Sequence, residues 1–347
     1  MKILQIITLS ELGGAQSVVI NLANALCQEH DVMVAAGEGD GKMWGMLDEK
    51  VKKHQCKHVQ RAISLKKDPL ALMELRKLYK AFKPDVIHLH SSKAGLLGRV
   101  AFPSRKIVYT VHGFDSIRVA HRKLLPVEKV MQHFCHSIVG VSKYDYENLR
   151  KEGIDKNLSY VYNAISIPET RGVQKPDVMN KYEKVVLAIA RVAPPKRHDL
   201  FIETSRRLPQ YGFIWIGNQQ PVDDLPSNCH FIGNIPNAGA FCSFADLFCL
   251  TSDFEGLPMV ILEAMSFGKP IVASAVGGIS EIVCNDENGY TVENDANIIA
   301  SKIDCILSDE SKLMTMGSMS KAKFDDSLTI DKMVNGYLAH YNEIFND

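Results

Sequence analysis

No apolar run in this 347-residue sequence approaches the roughly 18 residues that a membrane-spanning helix needs. The opening MKILQIITL carries one Lys and a short apolar run, with no small-residue cleavage pattern after it. It reads as a first buried strand rather than a secretory signal. No Cys-x-x-Cys pair occurs among the eight cysteines, which scatter along the chain and read as reduced core thiols of a cytosolic protein. Low-complexity segments are missing too, and with 46% hydrophobic and 23% charged residues the chain is expected to be globular rather than disordered. Net charge is also lacking: 40 Lys+Arg meet 40 Asp+Glu. That zero is a sum, because residues 1–166 hold 25 basic against 16 acidic residues and residues 167–347 hold 15 against 24. A half at +9 joined to a half at −9 points to two domains with different partners.

What is present supports two domains. The first half alternates strand-like and helix-like segments: the run around ILQIIT, the amphipathic stretch Gln16–Gln28, DVMVAA (31–36), a helix pattern over Pro69–Phe82, then VIHLH (86–90), KIVYTV (106–111) and SIVGV (137–141). Residues 166–183 are polar, carry Pro168, Gly172 and Pro176, and read as a linker. A second series follows in VVLAIA (185–190), FIWIG (213–217), DLFCL (246–250) and PIVAS (270–274), and a helix pattern over Ile330–Phe345 closes the chain. Fully apolar strands separated by helices predict α/β domains with parallel sheets covered on both faces. The expected division is 1–166, 167–329 and a C-terminal helix, 330–347, packing back on the first domain. Ligands of such sheets bind at the carboxyl ends of strands, so a cleft between two facing domains is the expected site.

The stretch Ser252–Ser274, SDFEGLPMVILEAMSFGKPIVAS, carries the most chemistry. Glu255 and Gly256 form a turn after a strand, Leu257 and Pro258 lead into a helix, and Gly268 fits its end. Glu263 lies eight residues after Glu255, about 12 Å at 1.5 Å per residue, so the two carboxylates suit opposite ends of one extended ligand. The helix start between them offers free N–H groups and a positive dipole to a phosphate. In ARVAPPKRHDL, Arg191 and Lys196 follow a strand and precede a helix. They are either a diphosphate-binding pair or a solvated basic loop, with Arg197 the more exposed neighbour. Gly13 and Gly14 lack the remainder of a Gly-x-Gly-x-x-Gly fingerprint and mark either a close backbone approach to a ligand or a tight turn. Gly277–Gly278 would let backbone amides approach a phosphate or sugar. His88 and His90 share one face of a strand and His112 ends the next, so a three-histidine zinc site is the alternative to ligand contact or packing. Ser142 sits at a strand end, as a site residue or as a helix N-cap.

Together these segments resemble the family 4 glycosyltransferases, retaining enzymes of the GT-B fold. The match runs through LGGAQ, HLH at 88–90, TVHGFD at 110–115, VSKYDYENL at 141–149, YNAI at 162–165, ARVAPPKRHDL, FIGN at 231–234, EGLPMVILEAMSFGKPIVAS and VGGISEIV, and so covers most of the chain. The resemblance implies two doubly wound Rossmann-like domains facing across a cleft. It implies that Glu255 contacts the transferred sugar, Glu263 the ribose hydroxyls, Arg191 and Lys196 the departing diphosphate, and His112 the sugar near the reacting carbon. Gly13, Gly14, Gly217, Gly256, Leu257 and Pro258 fall on the donor side, and Gln16, His90 and Ser142 on the acceptor side.

The expected reaction is transfer of a hexosyl or N-acetylhexosaminyl group from a nucleotide-diphosphate sugar, most simply a UDP-sugar, to a glycan or lipid-diphosphate-linked acceptor in cell-surface polysaccharide synthesis. A sugar-nucleotide epimerase and a non-catalytic nucleotide-sugar-binding protein are the alternatives. No Asp-x-Asp occurs to hold a divalent cation, so no metal and no cofactor beyond the substrate is expected, and no nucleic acid. The basic first half, with Lys66–Lys67, RKLYKAFK (76–83) and HRKLLPVEK (121–129), suits an anionic partner such as the cytoplasmic surface of a membrane.

Overall fold

Apolar, β-branched runs form the strands of two separate parallel sheets, each wrapped by helices. The structure is a computed structural model and describes residues 1–346. One unit comprises Met1–Ile165 together with the C-terminal helix, and the other Ser166–Thr329.

In the first unit the chain runs β1 (Lys2–Ile7), α1 (Gly14–Leu26), β2 (Asp31–Ala36), β3 (Lys52–Gln55), α2 (Lys67–Phe82), β4 (Val86–His90), α3 (Ser92–Ala101), β5 (Ile107–Val111), the short α4 (Asp115–Arg118), α5 (Leu125–Met131), β6 (Ser137–Gly140), α6 (Lys143–Lys151) and β7 (Leu158–Tyr160). The sheet order is β3-β2-β1-β4-β5-β6-β7, with every neighbouring pair parallel. Strands β4, β5 and β6 are buried along their whole length, which is why they read as continuous apolar runs. The edge strand β3 is polar throughout and β7 is only three partly exposed residues long, so both escaped the pattern.

The second unit runs β8 (Val185–Ile189), α7 (His198–Arg207), β9 (Gly212–Ile216), β10 (Cys229–Phe231), β11 (Leu247–Leu250), α8 (Met259–Ser266), β12 (Ile271–Ser274), α9 (Ile279–Ile282), β13 (Gly289–Val292), α10 (Ala296–Leu307) and α11 (Glu310–Ser327). Its all-parallel order is β10-β9-β8-β11-β12-β13. Trp215, Phe201 and Phe213 are fully buried at the centre of its core. Residues 166–183, expected as a linker, pack on this unit instead. Met179 is buried, the Tyr182 hydroxyl donates to the Ser227 carbonyl at 3.0 Å, and Asn237 Nδ2 donates to the Glu169 carbonyl at 2.8 Å.

The last helix, α12 (Ile330–Asn346), belongs to the first unit, where it packs on α1 and β4. Its buried face carries Met333, Tyr337, Tyr341 and Ile344. Two of these end in hydroxyls that join a network around a buried histidine. The Tyr341 hydroxyl lies 2.6 Å from His88 Nδ1, His88 Nε2 lies 2.7 Å from Thr110 Oγ1, and Thr110 Oγ1 donates to the Tyr337 hydroxyl at 3.1 Å. With Thr110 donating onward, His88 Nε2–H donates to Thr110 and His88 Nδ1 accepts from Tyr341. Burial holds His88 well below the ordinary histidine range, so it is neutral and can play both roles. Elsewhere in this unit, Nη2 of the buried Arg99 donates to both carboxylate oxygens of Glu128, at 2.8 and 3.0 Å, and the guanidinium lies over the Tyr109 ring.

The polar anchor of α12 gives a first prediction. Tyr341→Phe removes the hydroxyl that meets His88 and leaves a buried ring nitrogen without its donor. A loss of about 1–3 kcal/mol is expected in urea unfolding followed by a first-unit probe; an unchanged midpoint would show that the network does not hold the helix.

Candidate functional site

Strand order decides where a ligand fits. From β8 the second sheet extends one way to β9 and β10 and the other way to β11, β12 and β13, so the loops after β8 and β11 diverge at their carboxyl ends. Two backbone bonds staple these loops to each other: Arg197 N–H donates to the Thr251 carbonyl and Asp253 N–H to the Pro195 carbonyl, both at 3.0 Å. The staple brackets an antiparallel bridge between Lys196 and Ser252. It brings together two residues that lie 59 apart in sequence, for the Lys196 ammonium donates to Glu255 Oε1.

Glu255 is held from behind as well. Ser252 Oγ donates to the same Oε1 at 2.6 Å, Ser252 N–H donates to Ser274 Oγ at 2.9 Å, Ser274 Oγ donates to Asn294 Oδ1 at 2.5 Å, and Asn294 Nδ2 donates to the Ser252 carbonyl at 3.0 Å. Ser252, Ser274 and Asn294 went unnoticed in the sequence as site residues. The available signal was positional, since they sit at or just beyond the carboxyl ends of the neighbouring strands β11, β12 and β13.

The cations divide unequally. Arg197, expected to be exposed, is only partly so and is engaged by Asp199 at 2.7 Å and Asp253 at 3.2 Å. Lys196 gives one donor to Glu255 and has two left. Arg191 is exposed and makes no ion pair among the described residues. Downstream, Leu257 and Pro258 are buried, and Pro258 is the N-cap of α8, whose first-turn amides lack helix partners. Gly256 is occupied by a neighbouring loop: its carbonyl accepts the Gly278 N–H at 2.8 Å. The amide of Gly278 is therefore spent inside the protein, contrary to the expectation that it approaches a ligand. Gly277, at φ +59, is required by this contact, because a Cβ there would lie 2.0 Å from the Glu255 carbonyl. Gly217, at φ +120, is likewise structural: its N–H donates to the Gly233 carbonyl at 2.8 Å and a Cβ would lie 2.4 Å from the Ala190 carbonyl.

Glu263 projects from α8 into a corner formed with Gly239, where an added Cβ would meet the carboxylate at 2.6–2.7 Å. Its side chain makes no hydrogen bond among the described residues, and burial pushes its carboxyl up to about 7.

In the first unit the switch lies between β1 and β4. Gly13 is the extended N-cap of α1, and Gly14 opens that helix. Gln16, expected on the acceptor side, is buried and turned inward, with Nε2 donating to the Leu9 carbonyl at 3.2 Å. His90 is fully buried at the end of β4 and meets His112, Nδ1 to Nε2 at 3.0 Å, with the rings stacked, while its Nε2 is buried with no hydrogen-bond partner. Burial holds His112 down at about 4, so it is a neutral hydrogen-bonding group near pH 7. The three-histidine zinc alternative fails because both nitrogens of His88 are already engaged. Ser142 is a cap: it is fully buried, and its Oγ accepts the Asp145 N–H at 3.0 Å.

Comparison with known proteins agrees along the whole chain. The model for glycosyl transferases group 1 matches residues 173–323, and that for glycosyltransferase family 4 matches residues 12–167. The O-antigen biosynthesis glycosyltransferase WbnH of Escherichia coli is 29% identical over 353 residues, spanning 98% of this chain and 97% of its own. The Escherichia coli UDP-Gal:alpha-D-GlcNAc-diphosphoundecaprenol alpha-1,3-galactosyltransferase is 27% identical, spanning 96% and 95%. Among solved structures, Anabaena HepE in complex with UDP and glucose has a TM-score of 0.82 at 21% identity and covers 99% of both chains. The two parallel-sheet units are those of the GT-B fold.

The buried Glu263 carboxyl makes stability depend on pH. Between its unfolded value near 4.5 and its folded value near 7, the native state holds a proton that the unfolded chain has lost, so stability falls as pH rises through that window. Glu263→Gln stays neutral. Its stability should equal that of the parent near pH 4 and exceed it above pH 7, as read by thermal unfolding across pH; a pH-independent difference would contradict the assignment.

Proposed function

The chain belongs to the family 4 glycosyltransferases, and on that premise we propose that it moves a hexosyl or N-acetylhexosaminyl group from a UDP-sugar to a hydroxyl of a lipid-diphosphate-linked glycan. The observation that carries this reading is the junction of Lys196, Glu255 and the start of α8 at the switch point of the second sheet, with Glu263 farther along the same helix. A nucleotide-diphosphate sugar needs a charge-stabilising end and a ribose-recognising end, and one strand–turn–helix unit offers both. WbnH and the galactosyltransferase, which are similar from end to end, act in O-antigen synthesis or on a diphosphoundecaprenol substrate by their names.

In the proposed reaction the bond from the anomeric carbon to the diphosphate oxygen breaks, and a bond from that carbon to the acceptor oxygen forms on the same face. The acceptor proton passes to the departing diphosphate, so configuration is retained and no protein nucleophile is consumed. Negative charge grows on the diphosphate, where Arg191, the two remaining Lys196 donors and the α8 amides stabilise it. Glu255, whose Oε1 accepts from both Lys196 and Ser252, faces the sugar. Glu263 in its ionised form accepts the paired ribose hydroxyls. His112, neutral, offers a hydrogen bond to the sugar. Charge stabilisation by these groups makes a divalent cation unnecessary.

The acceptor side suits an anionic bilayer surface on the cytoplasmic face. On α2 the buried stripe is Ala71, Leu75, Leu78 and Phe82, leaving Leu70 and Met73 exposed among Lys66, Lys67, Arg76 and Lys77. On and beside α5, Leu124, Val127 and Val130 are exposed with Arg122, Lys123 and Lys129. Apolar side chains among cations fit a headgroup region rather than bulk water. No helix of the structure is long and apolar enough to cross a membrane.

Two measurements test these readings. Nucleotide diphosphate release with a lipid-linked glycan acceptor should fall about 10²–10³-fold in Lys196→Ala and in Glu263→Ala, with the fold retained. Near-normal turnover in both would overturn the donor site, and a changed sugar released without acceptor would identify an epimerase. Co-sedimentation with anionic vesicles should weaken steeply with salt and vanish on neutral vesicles; salt-insensitive partitioning would refute the electrostatic surface.

A further inference from the structure

Away from the switch points, the edge of the first sheet gathers a second set of chemically distinctive side chains. The segment leaving β3 reads His54-Gln55-Cys56-Lys57-His58. His54 is on the strand opposite Ala35, and Cys56 follows its end, where its N–H donates to the Ala36 carbonyl at 2.7 Å. Side chains two apart in extended backbone point the same way, so His54 and Cys56 face α2 together. Glu74, one residue before the buried Leu75 on α2, meets them there. Potential ligand atoms of His54, Cys56 and Glu74 all lie within 4.8 Å of one another. His58 Nδ1 lies 3.2 Å from Glu74 Oε2 and stands outside that group, as a hydrogen-bond partner of the carboxylate.

Neither ordinary packing nor ordinary solvation accounts for the group. His54 Nε2 is buried with no hydrogen-bond partner, which is costly for a ring nitrogen in the protein interior. Cys56 is 2% exposed and sits in the apolar cluster with Ala71, Leu75 and Leu78. Burial opposes the Glu74 charge, but the amides of Lys57 and His58, at 2.8 and 3.0 Å, outweigh it and hold the carboxyl below its usual range. A fixed carboxylate therefore faces a thiol and two imidazoles without a full positive partner among them.

We propose that His54, Cys56 and Glu74 hold a zinc ion that ties the β3 edge and the segment after it to α2, with His58 orienting Glu74 from behind. An imidazole, a thiolate and a carboxylate are ligand types that zinc accepts, and water completes the four-coordinate site. In binding, the Cys56 S–H bond breaks, its proton leaves to solvent, and the sulfur forms the bond to zinc; the imidazole binds neutral and Glu74 already ionised. The dication removes the buried orphan nitrogen and balances the carboxylate in one step. It would also fasten a chain segment that bends sharply here, since Val59 O accepts the Glu38 N–H at 3.0 Å and Arg61 N–H donates to Glu38 Oε1 at 2.6 Å. The site involves no residue assigned to sugar transfer and stands whatever the donor proves to be.

The test uses the untagged full chain, stripped with chelator and dialysed against zinc sulfate. After gel filtration, elemental analysis should find one zinc per chain, and cobalt in its place should give a thiolate charge-transfer band. Thermal unfolding should shift upward with added zinc. His54→Ala and His58→Ala, at partly exposed positions, should each lower zinc affinity at least ~10-fold, and Cys56→Ser should abolish the cobalt band. If Cys56→Ser does not fold, the two histidine variants decide the matter. Absence of retained zinc in the parent would overturn the proposal. So would zinc binding that survives both histidine variants but is lost in His112→Ala.

Discussion

Two backbone hydrogen bonds, from Arg197 to Thr251 and from Asp253 to Pro195, set the geometry on which the carboxyl edge of the second sheet depends. Loops leaving β8 and β11 start about one strand spacing apart and turn to opposite sides, so nothing in strand pairing alone keeps their tips together. The staple does. It fixes Lys196 against Glu255, and a second layer of Ser252, Ser274 and Asn294 fixes Glu255 against the neighbouring strand ends. Gly277 then allows the loop after β12 to press on the same turn from the other side. The carboxylate is thus positioned by four loops, and its direction is decided before any ligand contributes. Preorganisation of this kind lets charged groups stabilise developing charge without reorganising when the bond breaks.

The first unit solves a different problem. Its strand ends carry histidines in a row, and a row of imidazoles would repel itself if protonated. Burial keeps His88, His90 and His112 neutral, so they can stack and share hydrogen bonds. The C-terminal helix supplies the hydroxyl that satisfies His88, and His88 in turn packs its tilted ring against His90, which meets His112. A segment distant in sequence therefore supports the histidine row at the sheet's carboxyl edge. This explains why a helix with no strand after it returns to the unit where the chain began.

Much of this was legible in the residues, and the limits have physical causes. Buried strands such as VIHLH and IVYTV announce themselves because parallel sheets need apolar residues on both faces. Edge strands β3, β7 and β10 and the short β13 do not, because half their surface is polar or their length is only three or four residues. Glu255 and Glu263 stood out through their spacing on one strand–turn–helix unit. Ser142, Gln16 and Gly217 looked equally well placed by strand position, yet their polar groups are spent internally on Asp145, Leu9 and Gly233, while His90 gives Nδ1 to His112 and keeps a buried Nε2 without a partner. Position at a strand end is one-dimensional information. Whether a hydrogen-bonding group faces outward depends on what the next loop needs, and that is a three-dimensional fact. The His54–Glu74 cluster shows the same limit in reverse, since its members become neighbours only when α2 lies on β3.

Charge asymmetry also changes meaning once the units are known. The C-terminal helix segment 330–347 carries three acids and one Lys, so its return lowers the first unit from +9 to +7 and leaves the second at −7. A net charge of −7 is a poor environment for a diphosphate at long range. At short range the sum is irrelevant, because salt screens charges beyond about 8–10 Å. The local balance governs instead. Asp199 and Asp253 take Arg197 and Glu255 takes one donor of Lys196, while Arg191 remains unpaired among the described residues and the α8 amides point outward from a helix start. The acidic total of the unit therefore does not set the charge met at these loops, which depends on how each cation is paired.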